Sequence, residues 1–193
     1  MIRFRPIPEP PTFDHNARSP GNDWLASHPN PKRPKDFWSP FKGHLADGFN
    51  SLCAYSAMYE PVGTVDHFVS WNEDPSKAYE WNNYRYSSGW INSSKQHVPS
   101  SRILDPFEVE DGWFEIHLPS LQLVLSDSIP DEYRARAEYV LERLHLRDDE
   151  RVMRQRRSWM EAYEQGMSID ELERRAPLLA RAVRNREANR PQL

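Results

Sequence analysis

Between Thr64 and Gln96 the chain reads TVDHFVSWNEDPSKAYEWNNYRYSSGWINSSKQ. An aspartate stands beside a histidine at Asp66-His67, paired asparagines follow at Asn82-Asn83, and Asn92 precedes Lys95 by three residues. A carboxylate is a hard oxygen ligand for Mg2+, and an asparagine amide offers a second one. A neutral imidazole, with a pKa of about 6.5, is a general base at cellular pH. Cation, base and oxygen ligands together suit hydrolysis of a phosphodiester: the base activates water while the cation stabilises charge on the phosphate and the leaving oxygen. Each residue also has an ordinary reading: a structural Asp-His pair, a turn asparagine at Asn83, a solvated charge at Lys95. Neighbours on a strand point to opposite sides, so Asp66 and His67 reach one cavity only at a bend or a strand end.

Asp66-His67, Asn83 and Asn92 with Lys95 resemble the HNH nuclease motif of the His-Me finger (ββα-metal) superfamily. Asn83 and Asn92 lie 16 and 25 residues beyond His67, within the range that motif allows. The phrases TVDHF, YEWNNYR and NSSKQ are similar to bacterial HNH proteins over residues 53–105, and more loosely through ILDPFEVEDGWFEI and the C-terminal helices. The resemblance implies an α+β fold: a ββα-metal finger embedded among helices, with a β-hairpin and a C-terminal helical extension. It implies an endonuclease that hydrolyses DNA with Mg2+ or Mn2+. His67 would be the general base, and Asp66 and Asn92 would hold the cation. Asn83, favoured over Asn82 by the match to W-x-N-Y, would pin the loop so that His67 faces the scissile phosphate. Lys95 would contact a phosphate, and Arg85, the arginine of the W-x-N-Y-R stretch, is assigned to substrate binding beside it. Bacterial proteins of this type belong to mobile elements or anti-phage defence, in some cases beside a partner ATPase.

The departures from that pattern are specific. Many such proteins carry two Cys-x-x-Cys pairs holding a structural zinc, whereas CAYS keeps Cys53 and has Ser56 at the second position, and no cysteine precedes Asn92. No structural zinc is expected. A zinc site contributes on the order of 10 kcal/mol to a small fold, and the aromatic set Trp71, Tyr79, Trp81, Tyr84, Tyr86 and Trp90 is the candidate replacement as core packing. Ser70-Trp71 stand where the related proteins carry P-K, which removes a basic contact. The rival class is a decayed finger, an HNH-like module that binds nucleic acid or protein without cutting; the missing zinc site and the acidic middle of the chain favour it.

Composition bounds these readings. The 193 residues carry 25 Lys/Arg and 29 Asp/Glu, a net charge of −4. Residues 1–59 contribute +2, residues 60–129 contribute −7 and residues 130–193 contribute +1. A nucleic-acid binder is usually basic overall, so this balance counts against DNA binding, and the acidic middle segment suits a divalent cation better than a bare phosphate. One cysteine excludes a disulfide framework and fits a reducing cytosol. No run approaches the roughly 18 apolar residues of a membrane span, and MIRFRPIPEPP lacks the apolar core of a signal peptide.

The elements that must position the motif divide the chain into a proline-rich arm (1–39), an HNH-like core (40–105), and a hairpin with helices (106–193). Residues 1–36 hold eight of the 17 prolines and read as an extended arm wrapped over the body or partly disordered. Leu45, Phe49, Leu52 and Cys53 predict a helix from Pro40 to Met58 with Gly48 inside it. GTVDHFVSW reads as a strand, YEWNNYRYS as a second strand or an irregular turn, and GWINSSKQ as a short helix. Trp113–Leu118 and Leu121–Leu125 predict a hairpin around Pro119-Ser120. Ser128 is the expected cap of a helix whose apolar face is Tyr133, Ala137, Val140, Leu141 and Leu144. A second helix carries Val152, Trp159, Met160 and Tyr163 and stops at Gly166; its Arg151, Arg154, Arg156 and Arg157 read as a solvated, salt-bridged face. Ser168 opens a third helix with a capping box, which Pro177 must kink or restart.

Overall fold

The computed structural model describes residues 1–29 and 31–189. Its architecture is α+β: two small antiparallel sheets among seven α-helices. The β-branched and aromatic stretches form the first sheet, in which β1 (Thr64–His67) pairs with β2 (Tyr84–Ser87) in the register Thr64↔Ser87 to His67↔Tyr84. The chain turns directly from β2 into a short helix, Gly89–Lys95. Before it come helices α1 (Ser19–Ser27) and α2 (Lys42–Gly48), which makes Gly89–Lys95 α3. The second sheet pairs β3 (Phe114–His117) with β4 (Gln122–Leu125), and α4 (Asp131–Arg143), α5 (Glu150–Glu164), α6 (Ile169–Arg175) and α7 (Pro177–Ala188) complete the chain.

The three segments share one continuous apolar core that runs from Met1 and Phe4 through Tyr84 and Ile91 to Val183. The arm wraps the body as expected: Phe4 N–H donates to Pro106 O at 3.0 Å, and the Trp81 indole donates to Ile7 O at 2.8 Å. It is not extended throughout, because Asp14–Arg18 form a π-turn that continues into α1. Among the described residues no helix is long and apolar enough to cross a membrane.

The helix expected from Pro40 to Met58 ends at Gly48. A Cβ there would lie 2.4 Å from Ile7 Cγ2, so the glycine admits the arm. Beyond it Asn50, Ser51 and Ala57 take positive φ near +53°, and the segment turns back to pair with itself and with β2. Cys53 N–H donates to Met58 O at 2.9 Å and Ala54 N–H to Tyr86 O at 2.8 Å. A helical repeat cannot anticipate this, because apolar residues in a compact turn bury just as those on a helix face do.

The C-terminal half matches its pattern more closely. The hairpin, α4 and α5 form as expected, Gly166 adopts φ +106° past the end of α5, and Ser168 Oγ accepts from Glu171 N–H at 3.1 Å. Pro177 restarts the chain as α7. Ser128, however, caps nothing. Its hydroxyl donates to Gly112 O, and α4 begins after Pro130 without a side-chain cap. Arg154 does pair with Glu150 on an exposed face, but Arg156 is buried and donates to the carbonyls of Leu121, Arg147 and Leu146. It ties the β3–β4 turn and the α4–α5 connection to α5.

Candidate functional site

His67 is the last residue of β1, the strand-end position from which it and Asp66 both line one cavity of about 310 Å³. Asn92 from α3 lines the same cavity, with Arg33 and Trp38 from the arm and Ser70, Trp71 and His97 from the flanking loops. The geometry therefore gathers Asp66, His67 and Asn92, as the spacing anticipates.

His67 is held on every side. Its ring meets Trp38, Tyr84 and Trp71 at centroid distances of 4.6, 4.9 and 5.0 Å, all edge-on. Its Nε2 lies 2.8 Å from Ala78 O. A carbonyl only accepts, so Nε2 carries the hydrogen and Nδ1 keeps its lone pair. The Tyr84 hydroxyl donates to the same carbonyl at 2.8 Å and fixes it. Burial lowers the His67 pKa to about 4, against the opposing effects of the Ala78 hydrogen bond and Asp66; Lys95 and Arg33 push it further down. The imidazole is neutral throughout the physiological range.

Asn83 is a buried loop staple. Its Oδ1 accepts from Val69 N–H at 2.7 Å, and its Nδ2 donates to Val69 O and Lys77 O, both at 2.9 Å. One amide thereby staples both ends of the 68–83 connection, while Phe68 N–H donates to Asn83 O. That connection supplies Ala78 O to His67, so Asn83 acts on the histidine through the loop.

Asp66 is buried between two donors. The Tyr55 hydroxyl reaches Oδ2 at 2.6 Å and the Lys95 ammonium reaches Oδ1 at 3.1 Å. Burial and the nearby carboxylate raise the Tyr55 pKa, so the phenol remains a donor. Lys95 Nζ also donates to His67 O at 2.7 Å.

Two expected substrate contacts are corrected by this arrangement. Lys95 is fully buried, and its charge is spent on Asp66 and the backbone. It cannot meet an incoming phosphate without abandoning both. Arg85 is buried as well: it forms a bidentate pair with Asp105, donates to Asn82 O and Tyr84 O, and stacks over Phe107 at 3.7 Å. Its donors are satisfied inside the fold.

Asp66 and Asn92 carry the oxygens at this cavity that could hold a hard cation. A carboxylate has about four lone-pair sites, of which Tyr55 and Lys95 occupy two. Asn92 Nδ2 donates to Val65 O at 3.3 Å and lies 3.1 Å from Thr64 Oγ1, which leaves Oδ1 without a protein partner among the described residues. Mg2+ is commonly held by one or two protein oxygens with water completing its shell. Among the described residues there is no group of three or more His, Cys, Asp or Glu side chains that could hold a metal, and Lys95 offsets the charge of Asp66.

Several participants lay outside the motif. Tyr55 and Arg33 carry no sequence signal, being a turn residue and an arm residue. Tyr84 and Trp71 belong to the aromatic set, most of which packs in the core as anticipated. Trp71 and Trp90 are only partly buried, and the Trp71 indole Nε1 is itself buried with no hydrogen-bond partner among the described residues, a state that costs about 1–3 kcal/mol unless water or a ligand relieves it. The chain matches no protein-family model, and no curated protein is significantly similar to it.

Proposed function

We propose that this chain is a divalent-metal-dependent endonuclease of the HNH type that hydrolyses DNA phosphodiester bonds. The observation that carries the reading is the state of His67: neutral, with Nε2–H fixed by Ala78 and Nδ1 left as an acceptor, on a cavity that Asp66 and Asn92 also line. The proposed pairing with a partner ATPase, and a place in phage defence or a mobile element, rest on the resemblance alone.

In this reading Nδ1 of His67 takes the proton of the attacking water while Nε2–H stays on the Ala78 carbonyl. Burial makes the resting imidazole a weak base, but an incoming phosphate brings negative charge that favours the imidazolium. Tyr55 and Lys95 orient the Asp66 carboxylate, and the neutral Asn92 amide supplies the second oxygen. A cation held there would neutralise charge on the phosphate and the leaving oxygen. Asn83 keeps the loop, and with it the ring, from turning.

The test is nicking of plasmid DNA in Mg2+ or Mn2+. His67→Ala is expected to lose about 10²–10⁴-fold in rate while retaining its metal affinity. Asp66→Ala is expected to bind metal more weakly and to recover part of its rate at higher Mg2+. Equal cleavage by wild type and His67→Ala would remove His67 as the base. One observation favours the second reading, a binding module without hydrolysis: Lys95 already neutralises the one carboxylate of the site. Absence of cleavage in either metal, with a neighbouring gene product added, would select it.

A further inference from the structure

With Lys95 and Arg85 committed inside the fold, the described cavity-lining residues still offer an unpaired arginine and an unpartnered indole N–H. Arg33 is exposed, lines the cavity beside His67, and makes no ion pair among the described residues. Most other arginines are engaged: Arg18 with Glu9, Arg85 with Asp105, Arg147 with Glu138, Arg175 with Glu171. Trp71 lines the same cavity, and its indole N–H is buried and unpartnered among the described residues. The geometry points to Arg33 and Trp71 Nε1 as the pair that holds the scissile phosphate of the DNA at the mouth of the His67 cavity. This deepens the nuclease reading and rests on it.

The arm is built to present Arg33. Pro31 and Pro34 bracket Lys32-Arg33; a proline fixes its own φ and biases the residue before it towards extended backbone. Pro34 is buried, and the Tyr79 hydroxyl donates to Lys35 O at 2.8 Å. Three residues further on, Trp38 is buried against the His67 ring. The guanidinium thus hangs from a stiff, anchored segment, so less freedom is lost when it meets an anion. A guanidinium gives a charged fork to phosphate oxygens, and an indole gives one neutral N–H that a third oxygen can take. The charges agree: Asp66 and Lys95 cancel, and Arg33 leaves the cavity positive, which suits a phosphate before and after any cation enters. The arrangement also accounts for a chain that is acidic overall yet acts on a polyanion, since one placed arginine suffices for the reacting phosphate.

The full-length His67→Ala protein, bound to a fluorescein-labelled DNA duplex and followed by anisotropy across a salt series, provides the probe. Adding Arg33→Gln is expected to weaken binding about tenfold and to lower the salt slope by about 1, the signature of one lost phosphate contact. Arg33→Lys should restore part of the affinity, and Trp71→Phe, which keeps the packing ring, should weaken binding about threefold to tenfold. Lys32→Gln, which removes an exposed neighbouring charge outside the cavity, should shift affinity much less. In proteins with His67 intact, Arg33→Gln should raise KM for plasmid cleavage. If wild type cuts and Arg33→Gln cuts and binds unchanged, the phosphate role is overturned and the nuclease reading stands. If wild type does not cut but Arg33→Gln still loses affinity and slope, the phosphate site stands and the nuclease reading falls. No binding by the parent protein, or an equal loss from Lys32→Gln, overturns the phosphate site.

Discussion

Replacing Lys95 by methionine tests how the centre is held together. Lys95 and Asp66 are 1% and 3% exposed at the side chain, and the ammonium is divided between the carboxylate and His67 O. Methionine keeps the length and the apolar stem and removes the charge. Asp66 then retains only Tyr55, and the His67 carbonyl loses its donor. Removing one member of a buried ion pair costs about 3–5 kcal/mol, a large part of the roughly 5–15 kcal/mol that holds a typical domain together. Urea denaturation at pH 7 in EDTA should show that loss as a lower midpoint at unchanged slope. Asp66→Asn combined with Lys95→Met should be destabilised by less than the sum of the single changes, by about 1–3 kcal/mol, because neither charge is then stranded. If Asp66 is a cation ligand, millimolar Mg2+ should raise the midpoint of Lys95→Met more than that of wild type, since the ion replaces the missing ammonium. A Lys95→Met protein within about 1 kcal/mol of wild type, well below the cost of a stranded buried charge, would refute the argument that Lys95 serves Asp66 inside the fold.

Acid should destabilise the protein through His67. Folding lowers its pKa from about 6.5 to about 4, so below pH 6.5 the unfolded chain takes up a proton that the folded one refuses. Stability from this group is fully present above pH 6.5 and falls between 6.5 and 4, by about 3 kcal/mol in all; His67→Gln should flatten that part of a urea-midpoint-against-pH curve, and an unchanged slope would contradict the buried neutral imidazole. Asn83→Ala strands Val69 N–H, Val69 O and Lys77 O, and a loss of about 2–3 kcal/mol is expected. Its cleavage rate should fall without recovery at high Mg2+, whereas recovery would place Asn83 at the cation.

The sequence by itself determined the α+β class, the two hairpin strands of the C-terminal half, the helices α4 and α5, and, through the motif spacing, the gathering of Asp66, His67 and Asn92. These rest on local signals. These helical and strand periodicities were not overridden by packing, as the one over Pro40–Met58 was after Gly48, and residues within 26 positions of each other (66 to 92) lie on two strands and the helix that follows them directly. The pinning role of Asn83 was implied by the family resemblance alone, since by itself the residue reads as a turn asparagine. Tertiary structure decided the rest. Whether Lys95 and Arg85 face a ligand or the interior depends on where Asp66 and Asp105 come to lie, and a charge has no periodicity that reveals its partner. Arg156 entered the core because the carbonyls of Leu121 in the β3–β4 turn and of Leu146 and Arg147 between α4 and α5 converge there. Tyr55 reached Asp66 only because the chain left the helix after Gly48, and Arg33 reached the cavity only because a stiff arm is pinned by Tyr79 and Trp38, 44 and 5 residues further along the chain than the residues Lys35 and Arg33 that they anchor. Such contacts join distant segments through packing, and packing is a property of the folded body that no stretch of sequence contains.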